Sequence, residues 1–152
     1  MKPVARAIVD ARQIRSRYEI IEHTADIGIR VRAKNPEELF ALAACAMFDL
    51  MVDISKVKPE KKAEVSLKAD GFEELLVTWL NELVFRADVT GMFFSRFEVD
   101  SVTETSVEGS VMGEPYDAQV HSIGENVKAA TYYQLEVSRT DDGWQAKVIF
   151  DV

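Results

Sequence analysis

The chain has a single cysteine, Cys45, in 152 residues, which excludes an intramolecular disulfide framework and a cysteine-rich zinc site. No apolar run reaches the roughly 18 residues that a membrane-spanning helix requires. The basic start is not followed by an apolar stretch of roughly 7–15 residues, so a secretory signal peptide is not expected. A phosphate-cradling glycine loop, a nucleophile elbow and a pair of histidines at metal spacing on a helix are also missing. Internal repeats and low-complexity segments are absent as well. These absences leave a globular chain, most simply cytoplasmic, without the common catalytic signatures.

What is present suits one hydrophobic core. The sequence is 47% hydrophobic and 29% charged, and its length matches one domain of about 100–200 residues. A chain this long buries about 68–70% of its unfolded surface, so it needs neither a disulfide nor a metal to fold. The formal net charge of -8 comes from 18 basic and 26 acidic side chains. Residues 1–17 hold Lys2, Arg6, Arg12, Arg15 and Arg17 against Asp10, a net of +4, so the remainder carries 13 basic and 25 acidic groups, a net of -12. A body of that sign repels a phosphate backbone, and direct nucleic-acid binding by it is not expected. Residues 1–17 are expected to be a basic extension with few obligations to the core, and residues 18–152 the domain proper.

Patterning along 18–152 predicts an α+β fold, with two helices packed on one mostly antiparallel sheet of about seven strands. Tyr18–Ile21 reads as a first strand. Ile27, Ile29, Val31 and Ala33 alternate with Gly28, Arg30, Arg32 and Lys34, a half-buried strand with a wet, basic face. Asn35 as N-cap, Pro36 at the first helical position and Glu38 three residues after the cap start a helix. Leu39, Leu42, Ala43, Ala46, Met47 and Leu50 form its apolar stripe. Asp70 as cap with Glu73 starts a second helix, striped by Phe72, Leu76, Trp79, Leu80, Leu83 and Val84. Strands are expected over Ala63–Ala69, Met92–Val102 and Ser106–Val111. A long loop, Gly113 to Asn126, then leads to alternation over Val127–Val137. Asp141-Asp142-Gly143 turns the chain into a last strand, Trp144–Phe150.

Cys45, amid Ala43, Ala44, Ala46 and Met47, reads as a small core residue, and Trp79 likewise. Two places are less bland. Asp26 follows His23-Thr24-Ala25 in a strand-to-strand connection, where turn formation explains it better than chemistry does. Asp151 and Val152 end a strongly patterned strand, and the apolar Val148, Ile149, Phe150 and Val152 argue that this end is docked rather than frayed. If the two places meet, Asp26, Asp151 and the carboxylate of Val152 form an all-oxygen anionic cluster. Such a cluster suits a hard cation, calcium, magnesium or manganese, better than zinc or copper.

Tyr18-Glu19, Glu22-His23-Thr24-Ala25-Asp26-Ile27-Gly28, Trp79-Leu80-Asn81-Glu82-Leu83, Gly113-Glu114-Pro115-Tyr116-Asp117, Val127-Lys128-Ala129-Ala130-Thr131-Tyr132 and the closing Val148-Ile149-Phe150-Asp151-Val152 together resemble the archease family, over about residues 18–152. The resemblance implies a helper protein rather than an enzyme. It would activate the RtcB-type RNA ligase of tRNA splicing by promoting guanylylation and multiple turnover. It also implies a calcium or similar ion held at Asp26, Asp151 and Val152. His23, Lys128, Asp117 and His121 fit the family's motifs as function-linked positions. For Lys128 a solvated strand lysine, and for Asp117 and His121 simple turn formation, explain the residues nearly as well. Relatives commonly have histidine where this chain has Tyr133, whose place in the alternation suits packing. Two other functions are open to the same residues. One is a metal-dependent phosphoesterase built on Asp26 and Asp151 with Lys128 and His23. The other is a general chaperone presenting an apolar patch.

Overall fold

The computed structural model describes residues 6–22 and 25–152. In chain order the elements are β1 (Ala7–Asp10), α1 (Ala11–Ile14), β2 (Tyr18–Glu22), β3 (Ile27–Ala33), α2 (Pro36–Met51), a 3₁₀ turn (Ile54–Lys56), β4 (Lys61–Lys68), α3 (Phe72–Thr90), β5 (Met92–Val102), β6 (Ser106–Pro115), β7 (Ala129–Ala130), β8 (Glu136–Thr140) and β9 (Gly143–Asp151). Asn35 caps α2 as expected, its Oδ1 accepting the Glu38 N–H at 2.8 Å, with Pro36 in the first turn. Every residue of α2 from Leu39 to Phe48 is buried. A helix that is apolar all round must be covered all round.

Two antiparallel sheets provide most of that cover, where the sequence patterning predicted one. The first has the order β1-β5-β6-β4; the second has the order β2-β3-β9-β7, with β8 also on β9. The apolar faces of β3 and β9 (Ile29, Val31, Val148, Phe150) share one core with Phe94, Phe97 and Val99 of β5 and with α2. Phe48 of α2 meets Phe94 edge-on at 5.5 Å between ring centres and Phe97 at 5.6 Å. α3 joins the same core through Leu75, Leu76, Leu80, Leu83 and Trp79, whose Nε1–H donates to the Phe40 carbonyl at 3.0 Å. None of the described helices is long and apolar enough to cross a membrane.

Four local expectations are corrected. The N-cap of α3 is Gly71 (φ 108), which makes no side-chain cap; the Asp70 N–H instead reaches Glu74 Oε2 at 2.9 Å. β6 runs on to Pro115, taking the first residues of the expected loop. The alternation over Val127–Val137 is not one strand. Between the pairs Ala130↔Phe150 and Glu136↔Lys147 the chain advances six residues against three of β9, so three are extruded. Gln134 turns there with φ 50, and Tyr133 stands out at 56% exposure instead of packing.

The fourth correction concerns the head. β1 pairs with β5 from Ala7↔Val99 to Asp10↔Arg96, and Val9 and Ile14 are buried. Asp10 caps α1 in a reciprocal box with Gln13. The described part of residues 1–17 is thus joined to the core, through apolar positions too few to show as a pattern. Placing a charge there tests this. Val9→Asp is expected to lower unfolding free energy by more than about 2 kcal/mol. A urea midpoint unchanged from wild type would mean that β1 is dispensable.

Candidate ion site at the end of the second sheet

β9 is gripped on both edges. On one side its register with β3 runs from Ala33↔Trp144 to Ile27↔Phe150. The paired register stops at Ile27↔Phe150, and Asp26 and Asp151 are the next residues along the two chains, each two residues from a member of the pair Gly28↔Ile149. Gly28 is required by that pairing: a Cβ there would stand 2.5 Å from Ile149 Cδ1 and 2.7 Å from the Val148 carbonyl. Asp26 is half-buried and Asp151 exposed.

On the other edge, Ala129 pairs with Asp151 and Ala130 with Phe150. The Lys128 N–H donates to the Asp151 carbonyl at 2.8 Å, while the Thr131 N–H and Oγ1 both donate to the Ile149 carbonyl, at 3.1 and 2.7 Å. Val152 packs half-buried against the core. The end is docked, as its apolar residues suggested. The Lys128 side chain is exposed beside it.

His23 and Thr24 lie outside the described residues, so the connection that precedes Asp26 is not part of this geometry. Among the described residues, no group of three or more His, Cys, Asp and Glu side chains is placed to hold an ion. Of the residues that the sequence marked as ligands, the described side chains near this end are those of Asp26 and Asp151.

Sequence reasoning missed the residue that secures β7. Asn81 of α3 accepts the Ala130 N–H on Oδ1 at 2.7 Å and donates from Nδ2 to the Ala130 carbonyl at 3.2 Å. Its carboxamide imitates a neighbouring peptide group and satisfies the outer edge of the strand. The signal was there: an amide set in the apolar run Trp79-Leu80-Asn81-Glu82-Leu83.

Asp117 and His121 bond to each other, and His121 also bonds to Glu114. The Asp117 N–H donates to His121 Nδ1 at 2.9 Å, which puts the ring proton on Nε2, 2.9 Å from Glu114 Oε2. The buried His121 ring lies against Phe93 and Tyr116, at 6.3 and 6.0 Å between ring centres. The Asp117 carbonyl and carboxylate accept the N–H groups of Val120, His121 and Gln119, an arrangement that builds a turn. The Glu114 carboxyl is held below its ordinary range, chiefly by the Lys58 N–H at 2.8 Å and then by His121. Cys45 is fully buried, and burial pushes its thiol up, with Asp49 and Asp10 adding to the effect, so it is no nucleophile. Burial likewise raises the Tyr18 hydroxyl, which donates to Asp49 at 2.6 Å.

The class this fold defines is an α+β protein whose long apolar helix is enclosed by two antiparallel sheets and a second helix. The sequence profile of the Archease protein family matches residues 18–152, and the chain belongs to that family. The protein archease of Methanopyrus kandleri is 42% identical over 138 residues, which is 89% of this chain and 99% of that one. That of Methanosarcina barkeri is 40% identical over 139 residues, 89% and 95% of the two chains. A Methanobacterium thermoautotrophicum protein solved in solution superposes with a TM-score of 0.73 at 31% identity, covering 89% of this chain and 98% of that one. The crystal structure of a Thermotoga maritima protein described as an archease and possible chaperone shares the fold, with a TM-score of 0.61 at 21% identity over 87% and 94% of the two chains.

Two outcomes check the supports of this end. Asn81→Leu leaves the Ala130 N–H and carbonyl unpaired and is expected to cost about 1–3 kcal/mol. Amide exchange should accelerate first at Ala130, Lys128 and Thr131; uniform protection would show that the clamp is idle. For Glu114 the depressed carboxyl fixes the sign of the pH effect. Its contribution is full above the ordinary carboxyl value of 4.5 and is lost as pH falls through the lower folded value. Glu114→Gln should flatten that part of the stability-versus-pH curve, and parallel curves for both proteins would count against it.

Proposed function

We propose that this protein is a metal-binding accessory factor that activates an RNA-splicing ligase, promoting its guanylylation and multiple turnover in tRNA splicing, rather than an enzyme itself. The observation that supports this best is the β3–β9 register, which ends at Ile27↔Phe150 with Asp26 and Asp151 as the next residue on each side. Two neighbouring carboxylates repel unless a cation sits between them. Both are hard oxygen donors, and Val152 adds more oxygen, a set that fits calcium, magnesium or manganese and not a soft metal. Asp26 and Asp151 would hold the ion, which would supply positive charge at an acidic surface. The main-chain bonds from Lys128 and Thr131 keep the β9 end in place whether or not an ion is bound. Family membership agrees with this role, as does the net of -12 over residues 18–152, which favours a basic protein partner over RNA itself. The working compartment is the cytoplasm.

The deciding experiment uses purified components. Wild-type protein at sub-stoichiometric ratio should accelerate ligase guanylylation. Asp26→Ala and Asp151→Ala should each weaken calcium binding by at least about tenfold, the loss of one charged ligand being worth 1.4 kcal/mol or more. Both should lose most of the acceleration while keeping the fold. Equal acceleration by wild type and both variants would remove the ion from the mechanism. No acceleration by wild type would remove the ligase.

A further inference from the structure

α2 and α3 end at the same side of the molecule, and a groove of about 410 Å³ opens between their last turns and the loop that leads to β7. Met51, Met92, Phe93 and Val127 give it an apolar lining. Tyr116 and Ile123 stand at its mouth, 47% and 56% exposed. An exposed apolar surface gathered around a concavity, with an aromatic at the edge, is the composition of a protein-docking site.

Its walls are already fixed. The N–H groups of Gly124 and Glu125 donate to the Met51 and Leu50 carbonyls at 2.9 and 2.7 Å, capping the end of α2. Ile123 is bridged to Val52, and the Tyr116 N–H donates to the Gly91 carbonyl at 2.9 Å. Gly124 approaches so closely that a Cβ would stand 2.3 Å from the Leu50 carbonyl oxygen. A preformed wall spares a ligand the entropy of ordering it.

The charge around the groove has one sign. Its charged lining residues are Asp88 and Glu125, with no lysine or arginine. Neither helix carries a basic residue in its last turn, so the negative end of the α3 dipole also faces this region uncompensated. The other hollows differ. One of about 420 Å³ along α3 mixes Lys61, Lys62 and Arg86 with Glu82, and one beside β2 mixes Arg17, Arg30 and Arg32 with Glu19. The groove is also continuous with the carboxylate end, because its wall residue Val127 precedes Lys128, which bonds to Asp151.

We propose that this groove receives an apolar side chain from a lysine- or arginine-rich segment of a partner protein, the apolar group filling the cleft and the cations meeting Asp88 and Glu125. This rests on the accessory-factor reading for the identity of the partner, and names how that partner is held beside the ion site.

The test has two arms on the full chain. In the first, ¹⁵N-labelled protein is titrated with the peptide acetyl-Lys-Leu-Phe-Arg-amide. Saturable shifts are expected at Ala87, Gly91, Ile123 and Val127. The peptide acetyl-Glu-Leu-Phe-Glu-amide should bind at least about tenfold more weakly. The exposed changes Asp88→Lys with Glu125→Lys, and separately Ile123→Ser, should abolish the shifts with the rest of the spectrum intact. Shifts scattered over the surface, or equal binding of the two peptides, would overturn the proposal. In the second arm, the charge-reversed variant should keep calcium binding yet bind purified ligase at least about tenfold less tightly than wild type. Ligase binding unchanged by the reversal would overturn the groove and leave the accessory role standing. Localised peptide binding with no ligase binding by wild type would keep the groove and sink the ligase reading.

Discussion

The rest of the structure depends on the enclosure of α2. From Leu39 to Phe48 this helix presents no polar side chain and no exposed one. Left uncovered on any side it would hold apolar surface in water, at about 25 cal/mol per Å². A single sheet covers only one side of a helix. The second sheet, α3 and the short β1–α1 segment complete the cover, and each is joined to the same core. The small residues Ala41, Ala43, Ala44, Cys45 and Ala46 let these layers approach closely, while Phe40 and Phe48 fill the space between them.

That enclosure also positions the candidate functional end. The strands that cover one side of α2 include β3 and β9, and covering it with Ile29, Val31, Val148 and Phe150 fixes their register. The fixed register runs to Ile27↔Phe150, which leaves Asp26 and Asp151 as the next residues on either side. β7 then holds the other edge of β9, and Asn81, carried on a helix that is itself part of the cover, holds β7. The loop that returns to β7 closes over the end of α2, where it satisfies the Leu50 and Met51 carbonyls. Core packing, chain-end docking and the acid-rimmed groove are therefore linked consequences of one buried helix.

Much of the local structure was legible. The Asn35-Pro36 start of α2, the alternation of β3, and the hairpin at Asp141-Asp142-Gly143 each depend on neighbours in sequence. The cap of α3 failed by one residue, because Glu74 rather than an Asp70 side chain bonds at that turn. The strand over Val127–Val137 failed because alternation carries no information on how many residues the partner strand uses. The stripe assigned to α2 omitted Phe40, Ala41, Ala44 and Phe48, and with them the clue that the helix is apolar on every face. Had they been weighed, a second sheet would have been expected.

By itself the sequence determined the α+β class, the two long helices, the inert Cys45, the separation of a basic head from an acidic body, and the family motifs at both ends of residues 18–152. Those features are set by composition and by spacings of two to four residues, which a linear text displays. The tertiary structure decided that there are two sheets, that β1 belongs to the core, that Tyr133 faces solvent, and that Asp117 and His121 serve a turn with Glu114. It also decided that Ile27, 123 positions before Phe150, pairs with it, next to Asp26 and Asp151. Contacts at such separation follow from register and enclosure, which depend on how whole faces pack and not on the order of residues along the chain.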